Sequence, residues 1–334
     1  MEKDWEVDAI RALEKSISVF RSKVNADASS RTGKHRNKPA SGSMLDSIGH
    51  DKSRFAAGKA LIASLPAMLD WDSAPASRRW FLVCVCTNEG QIAVDTDKPL
   101  MLKKLNHKVY KALQGLGLNG IGVMDFAPFR KSRLHGRMVY AHPQCVVWTD
   151  DPLFKPKKAA ERLMQSRRFP NSLGLPSVTI ISRKKAANQF RGDEKCRELL
   201  FADLKQDQTK ASMARLGYYL WKAPGYVKHA YRPAEGKRKV QLRTGIKNYS
   251  PKLAAATQSV LNDVPTLDAI FGIGDEGRKL RAEWKRLYFQ EIGGRSQVKV
   301  EEDAKLKRRE MKKAAKRRRA RRALISREDS TIDL

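Results

Sequence analysis

The chain has little of what a membrane protein or a disulfide-stapled secreted protein needs. Its longest uninterrupted apolar run, Trp80 to Cys86, is far too short to span a bilayer. The opening MEKDWEVD is acidic and lacks a signal-peptide core, so secretion is not expected. Four cysteines in 334 residues do not make a disulfide framework, and the CxC pair Cys84 and Cys86 matches no common zinc spacing. Reduced thiols in the cytoplasm are the expectation. No GxxxxGK[ST] phosphate loop occurs, which argues against a fused helicase. Acid is also scarce: 36 Asp and Glu stand against 67 Lys and Arg, a net charge of +31. Such an excess is tolerable in a protein whose partner is a polyanion. Residues 305–323 hold 12 basic residues and one acid, so most of the excess lies outside the tail. With 41% apolar residues, the chain has ample material for a core.

Hydrophobic periodicity divides the chain. Trp5, Ala9, Leu13, Ile17 and Phe20 form a helical stripe in an N-terminal helix, residues 1–21. Residues 22–45 lose periodicity and are rich in Ser, Asn, Lys and Gly, predicting a flexible linker. A domain over 46–235 begins with a helix near 53–69. It continues with a buried strand at Trp80–Cys86, a short return at 91–94 and a helix at 98–114. Further strands are expected at Ile121–Phe126, Arg137–Trp148 and Ser177–Ser182, and helices at 155–168, 193–205 and 208–222. Consecutive strands without crossover helices predict an α+β fold, a central, mainly antiparallel sheet with helices packed on one face. Residues 236–296 read as a helical accessory region with Leu267–Phe271 helical, a plain helical bundle rather than the helix-turn-helix that the turn about Gly272–Gly274 suggests. Residues 297–334 form a basic tail.

Two constellations stand out. In the strand RMVYAHPQCVVW, His142 and Gln144 project from the same face. An imidazole and an amide oxygen at that spacing can hold one divalent cation; the plain alternative is a polar pair on a solvated sheet face. Pro143 between them counts against a central strand. In QTKASMARLGYYLWKAP, Tyr219 lies one turn before Lys222 and one turn after Arg215. Cations on both sides attract a phosphate to the phenol; the plain alternative is that Tyr218 or Tyr219 only packs. Arg78, Arg79, Arg130, Arg137, Lys157 and Lys158 are candidate phosphate contacts. Trp148, Phe154 and Phe169 are candidates for base stacking or for the core.

The order of these features resembles the HUH endonuclease superfamily, which comprises rolling-circle replication initiators, conjugative relaxases and single-strand transposases. The apolar strand Phe81–Thr87 looks like its first motif, and His142-Pro143-Gln144 like its histidine pair in a His-hydrophobic-Gln variant. Tyr219 with Lys222 looks like its nucleophile motif. The resemblance covers about residues 78–232 and carries an HUH or RNA-recognition-like fold. It departs from the pattern at Gln144, at Pro143, and at Cys84 and Cys86, where threonines are usual. It implies a plasmid- or phage-type initiator that nicks single-stranded DNA at an origin through a 5′-phosphotyrosine. Tyr219 is the implied nucleophile and Tyr218 its competitor, with Lys222 on the phosphate. Mg²⁺ or Mn²⁺ is the implied cofactor, held by His142, Gln144 and a carboxylate for which Asp125 is the candidate. A host helicase is the implied partner, and no membrane is. The alternatives are a relaxase or transposase of the same superfamily, a non-catalytic repressor or RNA-packaging factor, or a ribosome-associated protein. Only the nicking readings require a covalent adduct.

Overall fold

The computed structural model describes residues 4–30, 47–68, 78–93, 102–132, 136–166, 168–171, 176–182, 206–224, 227–231, 241–245 and 250–292. Helices α1 (Asp4–Ser30) and α2 (Asp51–Met68) precede strands β1 (Arg79–Val85) and β2 (Gln91–Ala93). Helix α3 (Leu102–Gln114) leads into the long hairpin β3 (Asn119–Ser132) and β4 (Gly136–Thr149). There follow α4 (Pro156–Gln165), β5 (Val178–Ser182), α5 (Gln206–Trp221), β6 (Val227–Tyr231) and β7 (Gln241–Gly245). The described chain closes with α6 (Pro251–Asn262), β8 (Ile270–Ile273) and α7 (Gly274–Glu291). No described helix is long and apolar enough to cross a membrane. The helix expected at 193–205 and the basic tail fall outside the described residues.

This is an α+β fold about a mainly antiparallel sheet, as the strand order predicts. The β3–β4 hairpin is its spine. Near one end, β5, β1, β4, β3 and β8 form an all-antiparallel run. Near the other, β2 pairs with β4, and β6 meets β3 in parallel at Phe129 and Lys228. Every residue of β4 from Met138 to Thr149 is buried, so both faces of this strand are covered.

Two prolines lie inside the spine without breaking it. The Met124 N–H donates outward to the Ala269 carbonyl at 2.7 Å. Met124 is opposite Pro143, so the two form a non-hydrogen-bonded pair and the nitrogen of Pro143 also points away from the hairpin. On that side β1 has its last partner at Gln144 and β2 its first at Tyr140. By the same alternation Pro128 faces the outer edge of β3, between the β8 ladder ending at Val123 and the β6 contact at Phe129. A missing donor costs little where no neighbour waits for it. This is why Pro143 occupies a central strand and why β3 runs past Pro128.

Other differences from the sequence reading have physical causes. Helix α1 continues to Ser30, into the segment expected as linker, because no glycine occurs before Gly33 and no proline before Pro39. Leu267–Phe271 is not helical. Residues 266–268 form a 3₁₀ turn and Ile270–Ile273 join the sheet as β8, which removes the helix-turn-helix at Gly272–Gly274. A short apolar run serves a buried strand as well as a buried helix. The region read as accessory therefore shares the core. Helix α7 lies so close to β3 that a Cβ on Gly277 would meet the Gly120 carbonyl oxygen at 1.9 Å. Its Trp284 is fully buried, donates to the Ala57 carbonyl of α2 at 2.9 Å and stacks on Tyr288. Helix α1 joins the same core through Ala9, Leu13, Ile17 and Phe20.

Candidate active site

Over three steps of the β3–β4 ladder, from Met124–Pro143 to Phe126–Ala141, no flanking strand pairs on either side. The middle step is Asp125 opposite His142. Residues opposite one another in a ladder share a face, and Gln144 lies two residues on, on the same face. The three side chains meet. The Gln144 amide nitrogen lies 2.8 Å from Asp125 Oδ2 and 3.2 Å from His142 Nε2. His142 Nε2 is 3.4 Å from Asp125 Oδ2. His142 and Gln144 are buried, and the Asp125 side chain keeps 12% exposure.

The imidazole is oriented from behind. His142 Nδ1 is 3.3 Å from the Tyr140 carbonyl oxygen, and its ring stacks on Tyr140. A carbonyl can only accept, so a hydrogen bond there requires the proton on Nδ1 and leaves the Nε2 lone pair toward the Gln144 amide nitrogen. That is the tautomer a metal-ligating histidine uses. Burial, with Cys86 and Cys84 nearby, pushes the Tyr140 hydroxyl far above its ordinary range. It stays a phenol and serves as a packing ring. The Cys84 and Cys86 sulfurs lie 3.7 Å apart.

The trio suits a hard divalent cation. The Gln144 Oε1 is buried and makes no hydrogen bond, while its amide nitrogen occupies the position between the carboxylate and the imidazole. Turning the amide over brings Oε1 there instead, giving two oxygens and one nitrogen, a donor set compatible with Mg²⁺ or Mn²⁺. Among the described residues no group of three or more His, Cys, Asp or Glu gathers to hold a metal. Here the third corner is an amide.

Helix α5 brings the other half. Met213, Leu216, Leu220 and Trp221 are buried, which turns Tyr218 and Tyr219 to the half-buried flank. Gly217 lets α5 lie against α2: a Cβ there would come within 3.0 Å of the Ile62 Cα. The Lys222 ammonium folds back over the Tyr219 ring, 3.5 Å from its centre, and donates to the Tyr219 carbonyl at 3.1 Å. Arg215 covers the neighbouring Tyr218 ring at 4.8 Å. Each tyrosine thus has its own cation. Lys222 and Asp125 line one small, half-open pocket together with Arg54, Leu220 and Trp221. The two tyrosines stand outside its lining.

The basic candidates divide. Arg78 is held by Asp150 and Glu276 at 2.7 and 3.0 Å, with 11% side-chain exposure. Its guanidinium is pushed above its ordinary range, chiefly by the hydrogen bond to Asp150. Arg79 donates to the carbonyls of Asp151, Pro152 and Phe154 and braces the chain before α4. Lys157 and Lys158 are exposed on α4. The side chains of Arg130 and Arg137 lie outside the described residues. Trp148 and Phe169 are core residues: Trp148 is fully buried and its indole donates to Glu276, and Phe169 is buried beneath Lys108. Phe154 is half-buried and packs against Phe81.

The sequence reading missed Arg54. It is 7% exposed, on α2 at the wall of the pocket. A signal existed, because α2 is rich in small apolar residues on all sides, and a helix of that kind is buried on most of its faces. No family model matches the chain, and neither a curated protein nor a solved structure matches it.

Proposed function

We propose that this chain is a metal-dependent, site-specific single-strand DNA endonuclease of the HUH type, initiating rolling-circle-type replication through a covalent 5′-phosphotyrosine. The observation that carries the proposal is the convergence of His142, Gln144 and Asp125 at one ladder step, with Lys222 sharing a pocket with Asp125. A structural polar cluster has no need of a lysine-capped tyrosine helix ending beside it.

His142, Gln144 and Asp125 would hold Mg²⁺ or Mn²⁺, which when bound supplies Lewis-acid polarisation of the scissile phosphate. The chain's own residues do the rest. Lys222 holds positive charge against the Tyr219 ring and would draw a phosphate oxygen there. Tyr219 Oη forms the new P–O bond in line, the P–O3′ bond breaks, and the phenolic proton ends on the released 3′ oxygen through solvent. A free tyrosine ionises at about pH 10, so neighbouring cations must favour its attack near neutrality. The 3′ hydroxyl so freed can prime synthesis. Tyr218, under Arg215, is the competing nucleophile.

Exposed Lys157 and Lys158 of α4 supply sequence-independent phosphate affinity. The partners are single-stranded DNA at a replication origin and a host helicase, in the cytoplasm. The test is a protein–DNA adduct on origin-bearing single strands that requires Tyr219, His142 and added Mn²⁺.

A further inference from the structure

We infer that Cys84 and Cys86 are a reversible dithiol–disulfide pair, and that closing the bond loosens the Gln144 corner of the cation cluster. Their sulfurs lie 3.7 Å apart. Both side chains are half-buried and within reach of a small oxidant, whereas Cys145 is fully buried. Cys84 stands opposite Gln144, the last pair that β1 makes with β4. Opposed residues share a sheet face, and Cys86 follows two residues on, so both thiols lie on the face that carries His142, Gln144 and Asp125. Cys86, one residue beyond β1, packs against the cluster that includes Tyr140, whose ring stacks on His142.

Residues two apart in an extended strand have Cα atoms about 6.4–6.8 Å apart, at the long end of the roughly 4.4–6.8 Å that a disulfide spans. The bond is reachable, but it must draw the chain inward at Cys86, where β1 has already left β4. The Cys86 N–H stays tied to the Ser177 carbonyl at 2.7 Å, so the pull falls on the Cys84–Gln144 pair. A disulfide under such strain is easily reduced. That suits a chain expected in a reducing compartment, where disulfides are transient and redox-sensing. With a peroxide as oxidant, its O–O bond breaks, one thiol becomes a sulfenic acid and water leaves. The second sulfur then attacks the first, the S–S bond forms and the S–O bond breaks, and the departing hydroxide takes the second thiol proton as water. The two thiols lose two electrons and the peroxide gains them. The effect on the cation rests on the proposed metal cluster; the pairing of the thiols rests on their own geometry.

The test treats the full, reduced chain with hydrogen peroxide, blocks the remaining thiols with iodoacetamide and digests it with trypsin. Cys84 and Cys86 fall in one fragment, since no Lys or Arg stands between Arg79 and Lys98. The expected fragment is lighter than the dithiol by two hydrogens, carries no block and regains both thiols in dithiothreitol. Cys84→Ser and Cys86→Ser should each abolish that form; the wild-type fragment decides even if a variant fails to fold. Calorimetric titration should show the oxidised wild type binding Mn²⁺ about fivefold or more weakly than the reduced protein. Dithiothreitol should restore the affinity, and peroxide should leave the Cys84→Ser, Cys86→Ser double variant unmoved. A wild-type fragment with both thiols blocked, or a bond joining either cysteine to another, overturns the inference. So does an internal disulfide that leaves Mn²⁺ affinity unchanged. The disulfide in a protein that binds no Mn²⁺ even when reduced keeps the thiol pair and removes the cation cluster.

Discussion

Asp125 stands directly across the β3–β4 ladder from His142, its carboxylate 3.4 Å from the imidazole Nε2. The pair is the middle of three steps where β1 and β2 leave β4 uncovered on one edge and β8 and β6 leave β3 uncovered on the other. Ladder register sets the two residues opposite each other. Metal affinity should then depend on all three corners. His142→Ala, Asp125→Asn and Gln144→Leu should each weaken Mn²⁺ binding about tenfold or more, the scale on which metal-site partners act. Gln144→Glu should retain it. Calorimetric titration of the folded variants with Mn²⁺ checks this, and an unchanged affinity in Gln144→Leu would remove the amide from the site.

Much of this site was legible because strand alternation is strict. His142 and Gln144 had to share a face once 137–148 was read as a strand. Asp125 was harder, because its register against His142 depends on a hairpin turn whose length the sequence alone leaves open. Arg54 was not legible by motif at all: its place in the pocket wall comes from α2 packing on α5, a tertiary contact. Strand β8 escaped because Ala269 to Ile273 is too short to show a period. Pro143 argued wrongly against its strand, since no local rule says which edge of a strand its nitrogen will face.

Gly217 lets α5 approach α2, with Ile62 backbone 3.0 Å from the position of a Cβ. Gly217→Leu must push α5 outward, carrying Tyr219 and Lys222 with it. Overpacking of this kind costs about 1–3 kcal/mol. The variant should melt at lower temperature and lose adduct formation out of proportion to that loss. Measuring both at a temperature where the variant is fully folded separates displacement from unfolding.

Trp284 joins α7 to α2 through one hydrogen bond and to Tyr288 and Trp221 through ring contacts. Trp284→Ala should cost about 3–5 kcal/mol. Urea unfolding should show it, and Trp284→Phe should recover part of the packing without the hydrogen bond.

His50 immediately precedes α2, and its carbonyl accepts the Arg54 N–H at 2.9 Å. Burial holds its imidazole below the ordinary value of 6.5, with Asp51 opposing and Lys52 and Arg21 reinforcing. The unfolded chain therefore binds this proton more readily than the folded one. The contribution to stability is complete above pH 6.5 and declines as pH falls from there toward the depressed folded value. His50→Gln should flatten that part of the profile, measured as the urea midpoint against pH.

The central claim is that Tyr219 attacks a phosphodiester placed by the His142, Gln144 and Asp125 cluster. The most direct measurement is a denaturing gel of labelled single-stranded origin DNA incubated with the protein and Mn²⁺. Wild type should give a slow, protease-sensitive labelled band, and Tyr219→Phe and His142→Ala should both abolish it while Tyr218→Phe keeps it. A wild type that binds the strand tightly yet forms no adduct, or an adduct that survives Tyr219→Phe, would contradict the claim.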